Sequence, residues 1–167
     1  MKKIFFLLII VISSIQIQAQ DAAITTYYLI RHAEKVRADS TNKNPHLTEK
    51  GKSRAQNWST VFKDVNFDMV YSTNYNRTIQ TATPTANEKN LEMQFYNPKV
   101  LFDSNFQSET KGKTVLVVGH SNTTPQFVNK ILAEERYTNI DDSNNSNLYI
   151  VTVINKETTV TLLKIDH

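Results

Sequence analysis

Residues 24–30 (ITTYYLI), 67–71 (FDMVY) and 115–118 (VLVV) are short runs rich in β-branched, aromatic and aliphatic residues. The stretches between them repeat their apolar residues at helical spacing. Such alternation admits few folds, because strands joined by helical crossovers pair in parallel and need helices on both faces. Thr48 can cap a helix carrying Ala55, Trp58, Val61, Phe62 and Val65, with Gly51 an unexpected residue in its first turn. Residues 75–89 read as a second helix that Pro84 kinks or splits, and residues 91–96 as a further strand. Pro125 marks the start of another helix, with Phe127, Val128, Ile131 and Leu132 on its apolar face. Residues 148–154 and 159–165 form a hairpin, preceded by the polar loop DDSNNSN at 141–147. The expected architecture is a single-domain three-layer α/β/α sandwich, mostly parallel, with antiparallel strands at an edge. Trp58, Tyr27, Tyr28 and Phe62 are expected in its core.

The first 19 residues belong to a different kind of sequence. Lys2 and Lys3 precede an apolar run over residues 4–12, and Ala19 closes a short polar stretch. This predicts a signal peptide at 1–19, a folded domain at 20–167, and a periplasmic or secreted location. The run is too short to span a bilayer, so no membrane association is expected after its removal. Removal takes two Lys and no acid, lowering the net charge from +3 to +1, which argues against nucleic acid as a partner. The absence of Cys excludes a disulfide scaffold, a Cys-ligated zinc site and a thiol nucleophile. With three Gly there is no G-x-G-x-x-G and no P-loop.

The chemistry-bearing residues collect at strand ends. Arg31-His32 leaves the first strand, Ser72-Thr73 and then Arg77 follow the second, and Gly119-His120-Ser121-Asn122 follows 115–118. In open α/β sheets ligands bind beyond the carboxyl ends of strands. Two Arg and two His there ask for an anion. Guanidinium matches phosphate oxygens bidentately, neutral imidazole can attack phosphorus, and imidazolium can donate to a phosphate oxygen. No metal or other cofactor is needed. Ser121 and Asn122 can add hydroxyl, amide or backbone N–H donors at the following helix start. Glu34, His46, Tyr75 and Asn76 are open between pocket and surface loop.

These residues also resemble a known family. Arg31-His32-Ala33-Glu34, Leu47-Thr48-Glu49-Lys50-Gly51 with Ala55, Ser72-Thr73 with Arg77-Thr78-Ile79-Gln80-Thr81-Ala82, and Gly119-His120-Ser121-Asn122 are similar, in order, to four motifs of the histidine phosphatase (phosphoglycerate-mutase-like) superfamily. The resemblance implies His32 as the phosphate acceptor of a transient phosphohistidine, with Arg31, Arg77 and His120 completing the phosphate pocket. Small size places the chain nearest the compact bacterial phosphohistidine phosphatases. One branch of the superfamily has Asp directly after the second His, where Ser121 stands. Another has Glu after the third strand, where this chain reads Tyr96-Asn97-Pro98. Asp103, the nearest carboxylate beyond, is the expected general acid. Without an acid, aryl phosphates and phosphoramidates become the expected substrates. The expected activity is that of an exported, metal-independent phosphoric monoester hydrolase acting on a phosphorylated small molecule. Its alternatives are a weakly active or inactive phosphate-binding module, and a hydrolase with a metal on His32, Glu34 and His120.

Overall fold

The computed structural model describes residues 23–166 of the chain, so the leader read at 1–19 lies outside the described residues. Ten elements follow one another: β1 (Ile24–Arg31), α1 (Glu49–Val61), β2 (Met69–Ser72), α2 (Asn76–Glu88), β3 (Met93–Phe95), α3 (Ser104–Thr110), β4 (Thr114–Gly119), α4 (Thr123–Leu132), β5 (Asn147–Ile154) and β6 (Glu157–Lys164). They build one six-stranded sheet in the order β3-β2-β4-β1-β5-β6. The pairs β3–β2, β2–β4 and β4–β1 are parallel, whereas β5 and β6 add antiparallel at one side. This is the expected three-layer architecture.

Strand alternation sorts the core into two layers. Tyr27 and Leu29 face Phe106 of α3 and Phe127, Val128 and Ile131 of α4. Ile30 points the other way, with Val70, Leu116 and Val118, onto Trp58 and Phe62 at α1 and Ala82 and Ala86 of α2. Burying both faces of β4 explains why residues 115–118 are apolar without alternation.

Three local readings are corrected. Pro84 does not split α2, which runs unbroken through it. Burial of Ala82 and Ala86 against α1 and the sheet outweighs the cost of a proline inside a helix, about 3 kcal/mol. The helix expected at Pro125 begins two residues earlier, at Thr123, placing the proline in a first turn whose N–H groups have no intrahelical partners. Helix α3 was not anticipated, since its seven residues are too few to show a period. Asp103 caps it, with Oδ1 accepting the Phe106 N–H at 2.8 Å.

Gly51 has a steric reason. The Glu34 carbonyl accepts the Thr48 N–H at 2.9 Å and so lies against the start of α1. A Cβ on residue 51 would sit 2.1 Å from that oxygen. Gly51→Ala should therefore destabilise the fold by about 1–3 kcal/mol. The change is expected as a lower denaturant midpoint at an unchanged slope.

Candidate active site

The carboxyl ends of β1, β2 and β4 lie side by side in the sheet, so their outgoing residues share one edge. An open cavity of about 350 Å³ occupies that edge. Arg31, His32, Arg77, His120, Ser121 and Asn122 all line it. Three separate chain segments are thus brought together as the strand-end argument requires.

His32 is held on three sides. Its backbone N–H donates to Gly119 O at 2.9 Å, its carbonyl accepts from Asn145 Nδ2 at 2.8 Å, and its Nδ1 lies 2.7 Å from Ala33 O. A carbonyl can only accept, so Nδ1 carries the proton and Nε2 keeps a lone pair. Burial pushes the His32 imidazole down to about 3, against the bond to Ala33, with the positive charges of Arg31, His120 and Arg77 adding to the drop. The ring is a neutral base of defined tautomer, which is the form a nucleophile needs.

His120 faces it, the two ring centroids 5.6 Å apart. Its Nδ1 lies 3.3 Å from Arg77 Nη2, a donor that never accepts, so Nδ1 accepts and Nε2–H donates to Thr73 Oγ1 at 2.9 Å. Burial lowers its pKa to about 4, helped by Arg77, Lys35 and Arg31. The imidazolium expected at this position is therefore an imidazole while no anion is bound. Both rings have folded pKa values below the ordinary 6.5, so the unfolded chain takes up protons first. Their contribution to stability is fully present above pH 6.5 and is lost as pH falls toward 4 and then 3. Melting temperatures between pH 7 and 4 should fall for this reason, and less steeply in His32→Gln.

The two arginines differ in how they are held. Arg31 is 2 % exposed. Its Nη1 donates to the carbonyls of Asp141, Asp142 and Asn144 at 2.8, 3.2 and 2.8 Å, and its Nη2 to Asp142 Oδ1 at 2.6 Å. Arg77 stands in the first turn of α2, where a cation opposes the helix dipole, and lies 4.6 Å over the Tyr75 ring. Each keeps a buried Nε with no partner, an arrangement that costs roughly 1–3 kcal/mol per donor in an apolar setting. Both guanidiniums line the one cavity, a positive setting suited to an anion.

Two expected residues stand elsewhere. Glu34 is not among the cavity's lining residues; Arg54 binds its carboxylate through Nε at 3.0 Å and Nη2 at 2.9 Å, so its role is to tie the end of β1 to α1. This also removes the metal set of His32, Glu34 and His120, and no three His, Asp or Glu side chains among the described residues gather to hold an ion. Asp103 does not line the cavity either, because its carboxylate is engaged at the start of α3. The exposed loop residue His46 and Asn76 at the start of α2 bond to one another at 3.3 Å.

The sequence reading missed Lys35 and Asp142 and left Tyr75 open; all three line the cavity. Asp142 comes from the loop read only as polar. Its carboxylate bridges Arg37 Nη1 and Arg31 Nη2, both at 2.6 Å, and these guanidiniums hold it ionised far below the usual carboxylate range. Asn145 and Asn147 of the same loop are buried, and the density of Asn and Asp was the available signal.

Residues 27–97 match the family model described as "Histidine phosphatase superfamily (branch 1)". No curated protein matches the chain in sequence. Among solved structures, the protein histidine phosphatase SixA complexed with tungstate is similar at TM-score 0.65 and 15% identity, over 83% of this chain and 96% of that one. The alpha-ribazole phosphatase from Shigella flexneri aligns at TM-score 0.64 and 16% identity, covering 84% and 96%. Phosphoglycerate mutase from Bacillus anthracis aligns at TM-score 0.61 and 16% identity, covering 86% and 94%. At such identities these likenesses speak for the fold alone, and the family match covers residues 27–97. By that match over residues 27–97 and by its fold, the chain is similar to the histidine phosphatase superfamily.

Proposed function

We propose that this chain is an exported, metal-independent phosphatase that hydrolyses phosphate monoesters or phosphoramidates through a phosphohistidine on His32. The observation that carries the reading is the pairing, in one cavity, of a neutral His32 with two guanidiniums that each keep an unpartnered buried Nε. The tungstate complex of the SixA relative is of a piece with an oxyanion at such a site. Export rests on the leader-like residues 1–19. Because phosphorelay proteins work in the cytoplasm, an exported enzyme points to small phosphate esters over protein phosphohistidine.

In this reading a phosphate dianion lies against Arg31, Arg77 and His120, with Ser121 and Asn122 at the start of α4 adding donors. The dianion raises the pKa of His120, which takes a proton on Nδ1 and donates it to a phosphate oxygen. His32 Nε2 attacks phosphorus; the P–N bond forms as the bond to the leaving oxygen or nitrogen breaks. Water then attacks the phosphohistidine, the P–N bond breaks, and inorganic phosphate leaves. The guanidiniums stabilise charge on the transferring group throughout.

The test is hydrolysis of 4-nitrophenyl phosphate by the mature domain, with vanadate and EDTA added separately. Turnover that vanadate blocks and EDTA leaves intact is the expected result. Loss of turnover with EDTA sinks the metal-independent mechanism. Vanadate binding without any turnover supports the inactive binding module in its place.

A further inference from the structure

The cavity carries more positive charge than a phosphate monoester uses. Arg31, Lys35, Arg77 and Lys99 line it against one carboxylate, Asp142, which leaves three positive charges. A phosphate monoester near neutral pH supplies at most two negative ones. The excess has a definite place. Asp142 is shared between Arg31 and Arg37, and Arg77 lies at the His120 end. Lys35 has no ion pair with a carboxylate among the described residues.

Lys35 is also fixed in space. The Glu34 carbonyl accepts the Thr48 N–H and the His46 carbonyl accepts the Val36 N–H, each at 2.9 Å, and Lys35 itself bridges Leu47. This short ladder holds the residue at the rim. A second cavity, of about 210 Å³, adjoins there, with Lys35 lining both. The second cavity also has Arg37, and its one carboxylate, the exposed Asp39, accepts from the backbone N–H and hydroxyl of Thr41 at 2.8 and 2.6 Å. Burial and the charges of Arg77, Arg37 and Arg31 lower the pKa of Lys35, against the opposing charge of Asp142.

We infer that Lys35 is a specificity-determining residue that binds a second anionic group of the substrate, a carboxylate or a second phosphate, beside the phosphate held by Arg31 and Arg77. This rests on the phosphatase reading above and narrows its substrate class to esters that carry two anionic groups. The ammonium offers three donors to such a group with no ion pair among the described residues to break.

Binding of phosphonates tests it apart from catalysis, since their C–P bond does not hydrolyse. Benzylphosphonate, 3-carboxybenzylphosphonate and 1,3-bis(phosphonomethyl)benzene are titrated calorimetrically into the mature protein and its variants. At least one doubly anionic compound should bind about tenfold tighter than benzylphosphonate, the scale of one charge-assisted contact. The compound preferred identifies the second group as carboxylate or phosphate. Lys35→Gln should abolish the preference and Lys35→Arg should restore it. Equal affinity of all three ligands, a preference that survives Lys35→Gln, or its loss in Lys99→Gln alone overturns the inference. Hydrolysis of phenyl phosphate, followed in parallel, reports separately on the phosphatase reading.

Discussion

His32→Ala should reduce hydrolysis of 4-nitrophenyl phosphate by about 10³-fold or more, the scale seen when a covalent nucleophile is deleted. The argument rests on the ring's fixed tautomer. Donation from Nδ1 to Ala33 O leaves Nε2 as the one nitrogen with a lone pair, and burial keeps it unprotonated well below neutral pH. Asn145 and Gly119 hold its backbone, so the ring position is set by the sheet and the 141–147 loop together. Rapid quenching of the wild type in alkali should capture a phosphorylated protein that acid hydrolyses, as a phosphoramidate does. His120→Ala should still form this adduct, more slowly. A His32→Ala protein that keeps wild-type rates rules out His32 as the acceptor.

Leaving-group dependence should be steep. A positioned general acid accelerates ester cleavage by about 10²–10⁴-fold, so alkyl phosphates should lag aryl phosphates by that order if none is present. The carboxylates bear this out one by one. Glu34 is bound to Arg54, Asp103 caps α3, and Asp142, alone in lining the cavity, is held ionised between Arg37 and Arg31. An ionised carboxylate has no proton to give. The expected measurement is a large drop in kcat/KM from 4-nitrophenyl to glycerol phosphate, with Asp103→Asn showing the same ratio as the wild type. A selective loss on alkyl esters in Asp103→Asn would restore Asp103 as the acid.

Residues read from the sequence divide by the physics that places them. Arg31, His32, Arg77, His120, Ser121 and Asn122 were legible because each lies within two residues of a strand end or a helix start, and topology sends such positions to one sheet edge. Glu34 and Asp103 were misplaced because a carboxylate can serve equally as ion-pair partner, cap or acid. Which it becomes depends on Arg54 and the Phe106 N–H, contacts that adjacency along the chain does not reveal. Asp142 and Lys35 were invisible for the complementary reason. Asp142 lies 111 positions from the guanidinium it neutralises, and Lys35 stands at a rim formed only when residues 34–36 pair with 46–48.

The sequence by itself determined the layered architecture and which arginines and histidines line the cavity. Apolar periodicity and strand-end position are local properties that survive any detail of packing. Tertiary structure alone decided the protonation and pairing of that set. Burial made both imidazoles neutral, the 141–147 loop occupied one arginine with Asp142, and Lys35 was left without an ion pair among the described residues. Desolvation and charge pairing depend on what surrounds a group in three dimensions, and the order of residues along the chain does not record that.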